Sequence, residues 1–255
     1  MAEWLGLLRS LLVYWRPGRQ RGLRRLYRPL VAPGDLVFDI GAHVGDRSAA
    51  FAALGARVVA LEPQPRVAAL LRRLPPIRRW TGGGRITVRP EAVGRAAGTA
   101  RLAISRRTPT VSTLSETWRA GLAAANPSFR RVRWDRTVDV PVTTLDRLIE
   151  RYGLPRFCKI DVEGYEAEGL AGLSRPLPAL SVEFVAGRLD LAAACIRRLD
   201  ALGRYEFNAV PGERRRFVFD AWVPGERLCS WLDAGAGGVS SGDLYARLAA
   251  PGAAA

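Results

Sequence analysis

Asp39, Gly41, His43, Gly45 and Glu62 are spaced so that together they could hold a nucleoside. The run Val37-Phe-Asp39-Ile-Gly41-Ala42-His43-Val-Gly45 reads as a strand entering a glycine turn, and a second apolar run, Val58 to Leu61, closes on Glu62. Glycine lets backbone approach a ligand at the C-terminal edge of a parallel sheet, and an acid ending the next strand can accept from both ribose hydroxyls. The turn departs from the dinucleotide pattern, because His43 takes the middle glycine's place and Asp39 precedes the first glycine. An acid there repels a pyrophosphate but suits the ammonium group of S-adenosylmethionine. The expected ligand is therefore that methyl donor, with Asp39, Gly41, Ala42, His43, Gly45, Glu62 and Pro63 as its contacts. Taken singly, each glycine fits an ordinary turn and Glu62 a helix cap; the joint spacing is what favours a site.

A second group, Lys159-Ile-Asp161-Val-Glu163-Gly164, ends a later apolar strand. In a strand Lys159 and Asp161 share a face. The chain leaves the sheet there on the same edge as the glycine turn, which brings two carboxylates to the sulfonium end of the pocket. Methyl transfer is an in-line displacement at a carbon already activated by positive sulfur, so the protein must align a nucleophile and take its proton. Asp161 or Glu163 is placed for that step, although both also stand where helix N-caps are favoured. Lys159, the only lysine, offers a compact ammonium where a planar guanidinium would not fit. His43, the only histidine, is read as a neighbour of the donor rather than as the base, and Glu183 as a further candidate at the pocket edge.

Positioning these groups requires strands that alternate with helices. The pattern predicts helices over 46–54, 66–74, 165–173 and 189–202 and one capped by Thr144, with strands over 86–88, 99–104, 138–142, 157–160, 179–184, 205–210 and 216–221. The last two strands are joined by too few residues for a helical crossover, so they are expected to form an antiparallel hairpin. The expected fold class is α/β: a Rossmann-like class I methyltransferase with a mostly parallel seven-stranded sheet, helices on both faces and that C-terminal hairpin. Residues 105–136 are polar and arginine-rich with Trp118, Phe129 and Trp134 interspersed, as an inserted recognition loop would be. The expected organisation is an N-terminal helical extension over 1–32, a methyltransferase domain over 33–233 and a flexible tail over 234–255, holding at most a short helix around Leu244.

A chain of 255 residues can bury one full α/β core. Cys158, Cys195 and Cys229 lack paired spacing, which argues for a reducing compartment and against a zinc centre; no metal is expected. No run reaches the roughly 18 apolar residues of a membrane span and no secretory leader is legible, so a cytoplasmic location is expected. The net charge of +15 comes almost wholly from dispersed arginine and predicts attraction to anionic partners without choosing among them. Trp4, Leu7, Leu8, Leu11 and Leu12 recur at helical spacing ahead of an arginine cluster. Such a helix could lie on an anionic membrane at its inner face or pack against the domain it precedes.

The segments Gly34 to Asp46, Thr144-Leu-Asp146-Arg-Leu148 and Lys159 to Glu166 together resemble the FkbM family of S-adenosylmethionine-dependent methyltransferases, over about residues 33–210. The resemblance implies methyl transfer to a hydroxyl of a small-molecule or glycan acceptor, such as a sugar or a secondary metabolite. An RNA or DNA methyltransferase is the alternative, since Asn126-Pro-Ser-Phe129 is faintly similar to a base-methylation signature, although it lies away from the fourth core strand. A noncatalytic cofactor-binding scaffold would require an occluded pocket.

Overall fold

A computed structural model of the chain describes residues 2–249. Two N-terminal helices, α1 (Ala2–Tyr14) and α2 (Arg19–Tyr27), precede the first strand, β1 (Leu36–Ile40). Alternation then runs through α3 (Asp46–Ala53), β2 (Arg57–Leu61), α4 (Pro65–Arg73), α5 (Pro75–Thr81) and β3 (Ile86–Arg89). Next come β4 (Ala92–Val93), β5 (Gly98–Ile104), α6 (Glu116–Ala125) and β6 (Arg136–Thr143). The second half comprises α7 (Leu145–Tyr152), β7 (Phe157–Ile160), α8 (Glu166–Ala171), β8 (Ala179–Val185) and α9 (Leu189–Leu202). It closes with β9 (Tyr205–Pro211), α10 (Gly225–Asp233) and β10 (Ser241–Leu248).

Seven strands form the central sheet in the order β3-β2-β1-β7-β8-β10-β9. β10 runs antiparallel to both β8 and β9, while β1, β2, β3, β7 and β8 pair in parallel. This is the Rossmann-like class I methyltransferase arrangement. Successive residues of β1 serve opposite layers, as the two-residue strand period requires. Leu36, Phe38 and Ile40 meet the apolar sides of α7 to α10, whereas Val37 meets those of α2, α3, α4 and α5. Such double-sided burial explains the unbroken apolar runs of the parallel strands.

Three expectations need correction. Residues 216–221 form no strand; the antiparallel partner of β9 is β10. The segment expected as a frayed tail with a short helix near Leu244 therefore contains a sheet strand, with Gly242 to Ala246 buried. Leu244 and Ala246 face one core layer and Tyr245 the other, so the strand lacks the polar alternation that marks a half-exposed one. The rest of that tail, 250–255, lies outside the described residues. Lastly, 99–104 and 138–142 are strands, but they belong to a separate three-stranded sheet, β4-β6-β5. Because Ile104 pairs with Arg136, residues 105–136 are the connection of an antiparallel hairpin.

Candidate active site

The C-terminal ends of β1, β2 and β7 open on one cavity of about 970 Å³, counting the part open to solvent. Parallel strands end on the same edge, so their loops converge where the strand order reverses, between β1 and β7. Among the sequence-predicted contacts, Asp39, Gly41, Ala42, His43, Glu62, Pro63, Lys159, Asp161 and Glu163 all line it. Gly45 does not. It starts α3 at a positive φ, and a Cβ there would lie 2.4 Å from the Leu71 side chain, so its smallness serves packing.

The turn after β1 is held close by its glycine. Gly41 has φ +80, and a Cβ on it would fall 1.8 Å from the Asp161 carbonyl oxygen, so only glycine lets the β1 and β7 loops touch. His43 and Glu163, one in each loop, hold left-handed backbone at φ 45 and 55. Such strain persists where the surrounding structure over-determines it, and it gathers at functional sites. Asp39 is buried at the end of β1 and accepts from Ser48 Oγ. Burial raises its carboxyl above the usual range.

Glu62 links the loops that follow β1 and β2. Its Oε2 accepts from the His43 backbone N–H at 2.9 Å, and its Oε1 from that of Gln64 at 2.8 Å. Each oxygen keeps a free lone pair for a hydroxyl donor. Burial pushes this carboxyl up to about 7 despite those bonds. Burial also lowers His43 to about 4, which keeps the imidazole neutral and makes it a weak base at physiological pH. Both ring nitrogens lie buried beside the cavity with no partner in the protein, and the Tyr14 ring stands edge-on at 5.9 Å.

At the other end, carboxylate oxygens of Asp161, Glu163 and Glu183 lie within 4.8 Å of one another. Lys159 Nζ donates to Asp161 Oδ2 at 2.6 Å. Burial opposes a charge on Asp161, but Lys159 and Arg47 hold its carboxyl below the usual range. Glu163 and Glu183 go the other way, because burial and the Asp161 charge raise both well above it. Within the trio, proton retention is thus favoured at Glu163 and Glu183 and charge at Asp161, beside a lysine whose own charge Asp161 and Asp243 sustain against burial. Such a spacing is also one that a divalent cation could use.

Several lining residues escape sequence reasoning: Tyr14 from α1, Arg47 from α3, Gln64, Glu91, Thr113 from the 105–136 connection, and Glu213. Asp243 of β10 stands behind them, 3.8 Å from Lys159 Nζ and 3.5 Å from Arg47 Nη2. Thr113 Oγ1 donates to the Glu163 carbonyl at 2.6 Å, tying the connection to the β7 loop. Asn126, the residue offered for base methylation, is absent from the lining. It is buried, caps the Pro127–Phe129 turn and donates to the Ala186 and Ser240 carbonyls, a structural use.

The cavity suits S-adenosylmethionine: a closely packed glycine turn, an acid at the end of β2, unpartnered imidazole nitrogens, and an anion where a sulfonium would lie. No curated protein matches the chain significantly. Among solved structures, an O-methyltransferase from Bacillus cereus in complex with SAH is 17% identical, covering 96% of this chain and 90% of that one, with a TM-score of 0.48. A putative O-methyltransferase from Klebsiella pneumoniae is 14% identical over 96% and 90%, with a TM-score of 0.48. Precorrin-6y C5,15-methyltransferase from Geobacter metallireducens is 12% identical over 91% and 87%, with a TM-score of 0.47. The methyltransferase FkbM domain family matches residues 39–216, most of the chain. The chain belongs to that family and is an S-adenosylmethionine-dependent methyltransferase.

Proposed function

We propose that the protein is an O-methyltransferase that acts on a hydroxyl of a sugar, glycan or secondary metabolite. The observation that carries this reading is the cluster of Asp161, Glu163 and Glu183 carboxyls at the strand edge, with Lys159 bonded to Asp161. An alcohol needs a base close to its attacking oxygen, because it becomes strongly acidic only as the new C–O bond forms. The bound donor supplies an electrophilic methyl carbon and a neutral thioether leaving group. In this proposal Glu62 accepts from the ribose hydroxyls, Ala42, His43 and Pro63 pack against the nucleoside, and Asp39 and Gly41 shape its aminoacyl side. Asp161 orients the acceptor hydroxyl and takes its proton, with the Glu163 and Glu183 carboxyls beside it. Lys159 is a positioning residue that keeps Asp161 ionised. Connection 105–136, whose Thr110, Ser112 and Thr113 reach the cavity, is the proposed acceptor wall. Buried free thiols at Cys158 and Cys195 suit a reducing cytoplasm.

Replacing Asp161 with Asn removes the base while keeping its shape. Turnover should fall roughly a hundredfold or more with donor affinity nearly intact. A merely structural role would instead lower the melting temperature and the affinity together. A product methylated on nitrogen or carbon when hydroxylated acceptors are supplied with labelled donor would refute the O-methyl assignment. Activity lost on chelation and restored by a divalent cation would show that a metal balances the trio.

A further inference from the structure

Helix α1 has two faces that do different things. Its inner arc packs on the domain: Leu7 and Ser10 are buried, and a Cβ on Gly6 would lie 2.7 Å from the Arg106 carbonyl oxygen. At its end Trp15 Nε1 donates to the Val44 carbonyl at 3.1 Å, and two residues of α2's first turn anchor the pair, Arg19 through Asp46 at 2.6 Å and Gln20 through the Asp46 carbonyl at 2.8 Å. The helix is thus fixed, with Tyr14 in the cavity wall. Its outer arc faces water with apolar side chains: Trp4 is 62% exposed, Leu5 64%, Leu8 54%, Leu12 77% and Val13 45%. Only Leu154 and Val218 are comparably exposed large hydrophobics elsewhere among the described residues, and each stands alone. Trp4, Leu8 and Leu12 recur every fourth residue with Leu5 beside them, a continuous stripe opposite Gly6, Leu7 and Ser10.

Charge surrounds that stripe with one sign. Arg9 on α1, Arg16 after it, and Arg21, Arg25 and Arg28 on or beside α2 are exposed, and Glu3 is the only acid before Asp35. We propose that the outer face of α1, with these arginines, docks the protein on an anionic bilayer surface. Apolar side chains then enter the headgroup boundary while arginines meet lipid phosphates, which is how an interfacial helix binds. A second copy on the same face would oppose like charges. RNA would pair the arginines but leave Leu8 and Leu12 in water. Because Tyr14 belongs to the docked helix, the pocket is carried to the membrane surface, whatever acceptor it takes.

Vesicle co-sedimentation of the full chain tests this. Binding to phosphatidylcholine vesicles containing phosphatidylglycerol should exceed binding to phosphatidylcholine alone by at least about tenfold. The Leu5→Ser, Leu8→Ser, Leu12→Ser triple variant should lose at least about tenfold in partitioning. Its melting temperature and calorimetric affinity for S-adenosylmethionine should stay unchanged, since none of the three lines the cavity. Should the triple variant not fold, Leu12→Glu at the most exposed position carries the same test. Absence of vesicle binding, equal binding by the variants, or a dimer abolished by the same substitutions without vesicle binding would overturn the proposal.

Discussion

Glu62 changes charge close to neutral pH because burial lifts it to about 7 while His43 and Gln64 bond to it. In the proposed donor site an ionised Glu62 would accept from ribose hydroxyls, and a protonated one would lose half of that capacity. Donor affinity should therefore fall as pH drops through about 7, and Glu62→Gln should weaken binding by about 1–3 kcal/mol and flatten the pH dependence. Calorimetry across that range checks this; a wild-type profile in the variant would remove Glu62 from the donor site. The sign for folding is opposite. A carboxyl raised in the folded state favours folding most below its ordinary range, and that contribution is lost as pH rises through the raised value. Glu166, also pushed to about 7 by burial, acts in the same direction, so the unliganded protein should melt at higher temperature near pH 6 than near pH 8. Asp243 offers a second test. It faces Lys159 and Arg47, and without it the two buried cations would lose a shared counter-charge. Asp243→Asn should destabilise the fold by about 3 kcal/mol and shift the pH profile of turnover, while Asp243→Glu should restore part of both. An unchanged pH profile in the Asn variant would confine Asp243 to packing.

At the level of elements, the 105–136 connection is tied to the chemistry through α6. Gly164 has φ +83, and a Cβ on it would lie 2.2 Å from the Trp118 ring, so the indole closes directly on the β7 loop that carries Glu163. Phe129 and Trp134 meet that ring edge-on at 5.5 and 6.0 Å. The aromatic residues that suggested a recognition surface are thus partly the connection's own small core, while Thr110, Ser112 and Thr113 face the cavity. Trp118→Ala should cost about 3–5 kcal/mol in urea unfolding. It should also lower turnover more than donor affinity, because the Glu163 loop loses its packing. A loss below 1 kcal/mol would mean the connection is not fastened this way.

For the whole molecule, the strand nearest the C-terminus is structural. β10 lies between β8 and β9, pairing with β8 from Ser241 to Arg247 and with β9 from Gly242 to Leu248. Removing residues 241–255 would leave β9 without a neighbour and strip Asp243 from Lys159. The shortened chain should show no cooperative thermal transition and no donor binding, whereas a frayed tail would be dispensable. The same integration holds at the other end, where Leu23, Leu26 and Tyr27 of α2 share a core layer with Phe51, Phe157 and Tyr245. No helix among the described residues is long and apolar enough to cross a membrane, so α1 would lie on a surface.

What the sequence by itself determined was local: the β1 turn with Asp39, Gly41 and His43, the acid after β2, and Lys159 with Asp161 at the end of β7. Each couples a strand end to its own loop within a few residues, and strand and helix periods place such groups on one sheet edge without knowledge of distant pairing. Tertiary structure decided the rest. Neighbouring strands at distant positions leave no periodic mark, so the insertion of β10, and with it Asp243 behind Lys159, was illegible from spacing. Residues 216–221 have strand-like composition yet make no ladder: they run along the outer edge of β9, where Val218 N–H reaches the Ala209 carbonyl but the Asn208 side chain accepts from the Phe219 N–H and donates to the Phe219 and Ala221 carbonyls. Gly45, chosen by spacing as a ligand contact, turned out to relieve crowding against Leu71 and Ile77. The ionisation of the trio also depended on the fold. Asp161, Glu163 and Glu183 have similar intrinsic acidities, and only burial with Lys159 and Arg47 on one side moves Asp161 down and the two glutamates up.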